Sequence, residues 1–568
     1  MRQNKKKVAA VVLILALVLS MTAGCAKKGA GQTNSEKNTE KTDVASKEAS
    51  TSEANDASLD EIISTFTGID GDPIEVKSGV KFPLENPVTL TFWYDPGWNF
   101  IGEMETLGEG EVWKWMEEQT NVHIDFIHPA SGTGEQSYQL LFASDKMPDI
   151  LYATPTYEYT YGAQAAVDDG YYCDLTDYVA KYAPNYTKIL DTYPVINSNV
   201  KTDDGKILSF NQMYMPEHSK ACNAGPSIRS DLLEQIGMKV EDLVTYDDWH
   251  EALTKLKDAG LCEVPLYISK TGSMEYDEFL AGYGTAQDFI VIDGNVKYGP
   301  IEDGYGEYID MLKQWYKEGL IDSDFGLNAR DPEEVDVINN KYAAWWSYCS
   351  WNGTKKWNAS MGVADGFNLI GTRLPVKEAG QIAHYRTPDL INNEYGFHIT
   401  ADCENVDVAV AWFDLWYDAN VALVANYGIG DTHVKNADGT YDWSEKITKA
   451  DDASAARGRY VLPVCPFENY TRISNAWSDA QKESQKNWLD SSDYAYFYPN
   501  FVVMTAEENT EYSTIMADIT TFVEEETYKM VAGNSSYTFD TFRDYILKMG
   551  IEDAVKIKQA AYERYINR

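Results

Sequence analysis

The chain has 568 residues, a formal net charge of −41 and an aromatic content of 13%, with 39 tyrosines and 15 tryptophans. A chain of this length can build more than one hydrophobic core. Its strong negative charge repels phosphate backbones, so we expect no nucleic-acid partner. Neutral or cationic ligands are compatible with such a surface, and the many aromatic rings can supply a stacking site.

The N-terminus has the pattern of an export signal. Lys5–Lys7 form a positive region, and Val8–Leu19 is an apolar stretch too short for a comfortable membrane span. Met21–Cys25 resembles a bacterial lipobox, although threonine stands three positions before the cysteine, where leucine is usual. An ordinary secretory signal cleaved nearby is the alternative. Because polar sequence begins directly after Cys25, we predict lipidation of that residue and a signal peptide over residues 1–24.

The residues that follow predict a flexible connection between this anchor and a folded body. Residues 25–58 consist mainly of Ser, Thr, Lys, Glu, Ala and Asn, and they contain no aromatic residue. Such a segment cannot bury enough apolar surface to offset the entropy that it loses on ordering. Residues 59–86 combine a few apolar positions with turn signals, and they form either an arm packed on the domain or a loose segment.

Val88–Trp98 contains the first strand of the predicted sheet. Its apolar residues alternate with threonines, and Asp95 begins a turn with proline and glycine. Helical and strand patterns then alternate through Glu109–Thr120, Val122–Ile127, Gln136–Lys146 and Asp149–Ala153. This alternation predicts parallel crossovers and an α/β sheet. Ligands in such sheets bind beyond the carboxyl ends of the strands, so the loops there are expected to face one cleft.

The rest of the chain continues the mixture of strands and amphipathic helices. Strands are predicted at Gly205–Tyr214, Val264–Ser269 and Lys341–Trp351. Helices are predicted at Ser230–Gly237, Thr245–Leu256, Ile309–Gly319, Val408–Trp416, Tyr512–Val523 and Phe542–Met549.

Several of these segments occur in an order that is typical of a known family. They are Met21–Cys25, Thr91–Tyr94, Leu141–Ile150, Thr245–Leu256, Lys317–Asp322, Ala343–Trp351, Tyr427–Gly430 and Thr505–Glu508. This order resembles the extracellular solute-binding lipoproteins of ABC importers in Gram-positive bacteria, especially the large carbohydrate-binding type. The resemblance implies a two-lobed α/β fold of the periplasmic-binding-protein type (type II), with hinge crossings between lobes. On that pattern lobe 1 is residues 87–206 and 345–400, and lobe 2 is residues 207–344 and 401–568.

Eight residues are candidates for contact with a ligand. Flat aromatic rings cover the apolar face of a sugar, and the aromatic candidates at strand ends are Trp98, Tyr157, Tyr159, Tyr348 and Trp351. Carboxylates accept hydrogen bonds from sugar hydroxyls, for which the candidates are Asp95 and Glu158, and Arg229 is the candidate donor. The alternatives are plain packing for the rings, turn chemistry for Asp95, solvated charge for Glu158 and a structural ion pair for Arg229.

No catalytic, cofactor or metal motif is present. The histidines are scattered, and no CxxC pair, nucleophile elbow or glycine-rich phosphate loop occurs. The resemblance implies a monomeric, lipid-anchored protein on the extracellular face of the membrane, which captures an oligosaccharide and delivers it to an ABC permease. A peptide or other nutrient is the alternative ligand. A surface glycoside hydrolase, which needs two carboxylates at a fixed separation, is the enzymatic alternative.

Overall fold

The computed structural model describes residues 62–144, 146–154, 157–159, 162–215, 224–269, 279–349, 357–358, 366–384 and 391–568. Cys25, the predicted tether, Trp351 and the side chain of Trp98 lie outside this description. The described residues form one compact unit.

Fifteen strands are found among the described residues: β1 (Ile62–Thr67), β2 (Pro73–Ser78), β3 (Val88–Trp93), β4 (Val122–Ile127), β5 (Ile150–Ala153), β6 (Phe210–Tyr214), β7 (Ala224–Arg229), β8 (Phe289–Ile292), β9 (Asn295–Tyr298), β10 (Ala344–Tyr348), β11 (Leu369–Gly371), β12 (Ile391–Ile399), β13 (His433–Lys435), β14 (Tyr441–Trp443) and β15 (Phe467–Glu468). The α-helices are Glu111–Thr120, Gly134–Leu141, Gly162–Asp168, Thr176–Tyr182, Pro184–Thr192, Pro194–Val200, Ser230–Gln235, Tyr246–Asp258, Asp303–Glu318, Glu334–Ile338, Val406–Leu415, Ala419–Tyr427, Glu445–Thr448, Ala453–Tyr460, Thr471–Ser474, Asp479–Ser491, Ala506–Val531, Phe539–Lys548 and Ile551–Tyr565.

The largest sheet has the strand order β15-β6-β12-β5-β3-β4. β3 pairs in parallel with both β4 and β5, and β15 pairs in parallel with β6. β12 lies between β5 and β6 and is antiparallel to both. Five strands therefore point the same way, and their carboxyl ends lie along one edge of the sheet. The predicted α/β sheet with parallel crossovers is confirmed.

A second sheet has the order β10-β7-β11, in which both outer strands are antiparallel to the central one. Three connections join the two sheets: β6 leads to β7, β11 leads to β12, and β15 leads to the helix Asp479–Ser491, which packs on β11 and β7. Residues from all three routes share one buried cluster, which includes Tyr214, Leu374, Tyr470 and Trp488. The predicted crossings between lobes are thus present and have their own small core.

Two large hydrophobic clusters surround the two sheets separately. The first contains Phe92 of β3 and Phe413 of the helix Val406–Leu415. The second contains Trp315 and Ile519, from helices that pack beside the three-stranded sheet. This arrangement of two cores agrees with the predicted two-lobed fold.

The packing divides the chain differently from the predicted lobe boundaries. β6 and the helices between residues 406 and 427 belong to the first core, although lobe 2 was predicted for them. β10 pairs with β7 in the second sheet, although residues 345–400 were predicted in lobe 1. The predicted boundaries followed the family pattern, and the sequence could not correct them. An amphipathic pattern shows which face of an element is buried but not against which sheet that face packs.

The uncertain arm is a β-hairpin in the structure. β1 and β2 pair antiparallel from Ile62↔Ser78 to Thr67↔Pro73. Phe66 and Val76 point into the first core, where both are buried. The hairpin therefore packs on the domain, and β3, which we predicted as the first strand, is the third.

Local signals predicted some elements well and others poorly. The helix Tyr246–Asp258 begins with the predicted capping box, in which Thr245 Oγ1 accepts from the Asp248 backbone N–H at 3.2 Å. By contrast, the strand predicted at Val264–Ser269 is reduced to bridges at Leu266, which pairs with Ile321 and Ala344. The described residues hold no single helix that is long and apolar enough to span a membrane, although one pair bent by 74° passes that test jointly.

A buried histidine in the six-stranded sheet predicts how the stability of the protein responds to acid. The ring of His398 on β12 stacks on Tyr172 at 4.3 Å, and its Nδ1 lies 2.9 Å from the Leu208 carbonyl oxygen, which requires an N–H at that atom. Burial disfavours the imidazolium and lowers the pKa of His398 to about 4. The unfolded chain consequently binds more protons than the native protein as the pH falls from about 6.5 towards 4.

We therefore expect acid destabilisation that is centred on this residue. Between pH 7 and pH 4 the His398→Gln variant should lose less stability than the original protein, by about 3 kcal/mol. Urea midpoints measured at several pH values test this. Equal pH dependence of the two proteins would contradict the assignment.

Candidate functional site

The loops at the carboxyl edge of the six-stranded sheet form the candidate site. Asp95 follows β3, and Tyr157 follows β5, its parallel neighbour. The connections to the second sheet leave from the same edge, because β6 ends there before β7 begins. The site therefore lies where the chain passes between the two sheets, which is the position expected for a ligand in an open α/β fold.

Asp95 and Tyr157 meet directly. The Tyr157 hydroxyl donates to Asp95 Oδ2 at 2.6 Å, and the Gly97 backbone N–H donates to Asp95 Oδ1 at 3.2 Å. The second bond is the turn chemistry that was the alternative for Asp95. Burial and the neighbouring carboxylate raise the pKa of Tyr157 to about 12, so the phenol stays protonated as the donor.

Gly134 is the residue that makes this pair possible. It begins the helix Gly134–Leu141, and a Cβ at this position would lie 2.4 Å from Asp95 Oδ2 and 2.5 Å from the Tyr157 hydroxyl oxygen. A side chain would therefore displace one partner of the bond. No sequence pattern marks this role of Gly134, because the contact joins residues from three separate segments.

Tyr157 is held by aromatic packing on its other side. Its ring makes an edge contact with Trp93 at 5.6 Å and lies 6.2 Å from Tyr138. The buried Tyr138 hydroxyl is in turn hydrogen-bonded to the Tyr172 hydroxyl at 2.6 Å. This fixed layer leaves the orientation of the Tyr157 ring little freedom.

Glu158 presents a carboxylate beside this aromatic layer. The residue is exposed, yet desolvation by surrounding protein raises the pKa of its carboxyl group. An exposed but desolvated carboxylate is typical of a concave surface rather than a convex one. Its backbone carbonyl accepts from Gln139 Nε2 at 3.0 Å, which ties the loop to the helix that starts at Gly134.

Tyr159 lies in the same loop but has a packing role in part. Its hydroxyl donates to Asp169 Oδ2 at 2.6 Å, and its ring packs against Phe142 at 4.8 Å and Tyr171 at 5.4 Å. The ring is half-buried. The structure thus gives Tyr159 a partner of its own, unlike a free stacking platform.

Tyr348 belongs to the second sheet. It ends β10 opposite Ala224, the first residue of β7, and this end of the strand faces the connection from the first sheet. Its half-buried ring contacts Trp346 at 4.4 Å, and the Arg330 guanidinium lies 5.6 Å above it.

The other two predicted rings cannot be placed in this way: Trp98 has only its backbone described, in a short 3₁₀ turn, and Trp351 lies outside the description.

Arg229 forms the structural ion pair that was the alternative to its predicted role as a donor to the ligand. Its side chain is buried, with Nε and Nη2 donating to the Asp231 carboxylate at 2.7 and 2.6 Å and Nη1 donating to Asn340 at 2.9 Å. It stands at the far end of β7 from Ala224, about 16 Å away at the usual rise of a strand. Its guanidinium therefore has a structural role as the partner of the Asp231 carboxylate.

The described residues contain no cluster of three or more His, Cys, Asp or Glu side chains that could hold a metal ion. Cys173, Cys262, Cys349, Cys403 and Cys465 are free thiols. The loops after β3 and β5 offer carboxylates, phenols and aromatic faces at the carboxyl edge. These groups are suited to hydrogen bonding and stacking.

The chain is similar in sequence to a curated protein over most of its length. It is 24% identical over 537 residues to the fructooligosaccharide ABC transporter substrate-binding protein FusA of Streptococcus pneumoniae, covering 86% of this chain and 92% of FusA. No family model matches the chain.

Several solved structures share this fold, and the alignment with this chain covers almost the entire length of each of them. A solute-binding protein of Bifidobacterium longum infantis, described as binding HMO and associated with an ABC transporter, has a TM-score of 0.67 at 16% identity, covering 85% of this chain and 99% of its own. FusA in complex with fructo-nystose has a TM-score of 0.62 at 20% identity, covering 84% and 100%. The alginate-binding protein AlgQ2 has a TM-score of 0.61 at 19% identity, covering 84% and 99%. The predicted two-lobed fold is confirmed, and so is the predicted resemblance to the substrate-binding proteins of ABC transporters.

Proposed function

Because this chain is similar in sequence and fold to the substrate-binding proteins of ABC transporters, we propose that it captures an oligosaccharide and delivers it to a membrane permease. The observation that carries the proposal is the placement of Asp95, Tyr157 and Glu158 together at the carboxyl edge, where the connections between the two sheets begin. Closure of the lobes around a sugar would follow from tighter contacts in the closed state.

The groups at this edge are complementary to a carbohydrate. A sugar ring has an apolar face of C–H groups, which a tyrosine or tryptophan ring covers, and a rim of hydroxyls, which carboxylates accept from. Asp95 and Glu158 supply the acceptors, and the loops that carry Trp98 and Tyr157 supply aromatic rings. FusA, which is similar over most of its length, is described as binding fructooligosaccharides, and we infer a ligand of that class.

We propose that the protein binds its ligand without chemical change. Its relatives are transport proteins, and no pair of carboxylates at the described edge stands out as the acid and nucleophile of a hydrolase. We further propose that the protein is monomeric and that Cys25 anchors it to the extracellular face of the membrane, with residues 25–58 as a tether.

Calorimetric titration with kestose, fructo-nystose and an alginate oligosaccharide tests the proposal, with a peptide mixture as the comparison. We expect saturable binding of one sugar class, and mass spectrometry should recover that sugar intact. Accumulation of shorter sugars would favour the hydrolase instead. Binding of peptides with no sugar bound would overturn the carbohydrate assignment.

Gly134→Ala should weaken sugar binding while leaving the fold intact. The added methyl would displace the Tyr157 hydroxyl or Asp95 Oδ2 from their bond, and loss of the bond should reduce affinity about tenfold. Gly108→Ala is the matched control, since a Cβ there meets its nearest neighbour at an ordinary 3.5 Å. Equal dissociation constants for the two variants would argue against a role of the Asp95–Tyr157 pair.

A further inference from the structure

One arginine near the candidate site, Arg457, forms no ion pair with any carboxylate that the structure describes. Arg457 lies in the helix Ala453–Tyr460 and is half-buried, and its guanidinium sits 5.3 Å from the rings of both Phe100 and Trp443. Its Nε is shielded from solvent and makes no hydrogen bond. Among the residues that the structure describes, no carboxylate forms an ion pair with it, although the chain carries 89 acidic residues.

The position of Arg457 is fixed by close packing at the carboxyl edge. Phe100 belongs to the turn after β3, two residues beyond Trp98, and a Cβ on Gly458 would lie 1.8 Å from the Phe100 carbonyl oxygen. The helix therefore touches this turn through backbone atoms. Arg457 is consequently held beside the loop that also carries Asp95.

A neighbouring arginine shows what a structural role looks like in this region. Arg472 is fully buried, donates to Glu468 Oε1 at 3.0 and 3.2 Å, and also donates to the carbonyl oxygens of residues 462 and 463. Glu468, which lies near Arg457, is thus already paired with Arg472. Desolvation, together with the positive charge of Arg472, lowers the pKa of Arg457 to about 10, and attraction to Glu468 only partly opposes this shift. The guanidinium therefore remains charged at neutral pH.

We propose that Arg457 is a ligand-binding residue that donates hydrogen bonds to two adjacent oxygen atoms on one sugar unit, with Phe100 and Trp443 holding the guanidinium in place. A guanidinium presents paired N–H donors in a fixed fork, which fits either vicinal hydroxyl oxygens of a neutral sugar or the carboxylate of a uronic acid. This inference rests on the proposed function. It deepens that function by assigning a donor to a site in which the earlier candidates supply acceptors and rings.

A desolvated hydrogen-bond donor without a partner raises the free energy of the folded protein. Buried polar groups in native proteins are almost always hydrogen-bonded, and each exception requires an explanation. Here the explanation is a partner that arrives with the ligand. The free protein already carries the free-energy cost of desolvating this guanidinium. Hydrogen bonds to the ligand offset part of that cost, so Arg457 contributes more to affinity than an exposed arginine would.

The test compares Arg457→Gln with Arg459→Gln in the full-length protein. Arg459 lies on the same helix two residues on, so the control removes the same charge from a different helix face. Kestose represents the neutral source of paired oxygens, and an alginate oligosaccharide represents the carboxylate source. For the sugar that binds, Arg457→Gln should raise the dissociation constant about 10- to 100-fold, and Arg459→Gln less than threefold.

Two further measurements keep the proposal open to refutation. Arg457→Lys retains the charge but not the fork, and it should restore less than half of the lost binding free energy. Thermal unfolding of each free variant shows whether the fold is kept, and a binding loss at an unchanged midpoint supports the proposal. Arg457→Gln that binds the sugar as tightly as the original protein overturns this inference alone. A protein that binds neither sugar overturns the proposed function, and the inference falls with it.

Discussion

Trp488→Ala should lower the free energy of unfolding by about 4 kcal/mol, the range seen when a large buried aromatic is removed. The indole is fully buried, and its Nε1 donates to the Pro226 carbonyl oxygen at 3.1 Å. It fits between two glycines of neighbouring strands: a Cβ on Gly225 would lie 2.6 Å from the indole, and a Cβ on Gly371 would lie 2.5 Å from it. The connection from β6 ends at β7, and the connection to β12 begins at β11. The substitution therefore destabilises the region that joins the two sheets.

Leu489→Ala is the matched control for Trp488→Ala. Leu489 is the next residue of the same helix, but 38% of its surface is exposed, and we expect a loss below about 1 kcal/mol. The urea midpoints of the two variants should therefore differ clearly. Similar midpoints would mean that Trp488 does not hold the helix Asp479–Ser491 to the second sheet.

Asp414→Ala should destabilise the first core by about 3 kcal/mol, because it leaves buried donors without a partner. The carboxyl group is fully buried, and burial raises its pKa to about 8. Its oxygens accept from the Tyr186 N–H at 2.8 Å and from Asn185 Nδ2 at 2.7 Å. These residues open the helix Pro184–Thr192, whose N-cap residue Ala183 offers no capping side chain. Asp414 thus caps a helix from which it is separated by more than 200 residues.

Asp407→Ala serves as the control for that substitution. Asp407 lies in the same helix as Asp414 but is exposed, so its removal should change stability by about 0.5 kcal/mol or less. Both variants are compared with the original protein by urea unfolding followed by circular dichroism. If Asp414→Ala costs no more than Asp407→Ala, the cap does not stabilise the fold.

These two examples mark the limit of what the sequence predicts. Local patterns identified the strand Val88–Trp93 and the capping box at Thr245, because periodicity and capping depend on neighbouring residues. The cap from Asp414 and the fit of Trp488 between two glycines depend on residues brought together only by folding. No pattern in the sequence marks either of them.

The candidate site was also predicted only in part from the sequence. Asp95 and Tyr157 were correctly predicted at the same edge, since parallel neighbouring strands end together. The sequence alone does not place Arg229, because an arginine in a strand reads the same whether its partner is a ligand or Asp231. Arg457 was missed because the exposed-looking helix around it gives no sign of an unpaired charge.

Small-angle X-ray scattering with and without a saturating oligosaccharide tests the central claim most directly. A two-lobed receptor that closes on its ligand should show a smaller radius of gyration when the sugar identified by calorimetry is added, and mass spectrometry should return that sugar unaltered. An unchanged radius of gyration with the sugar bound, or a shortened sugar, would contradict the account.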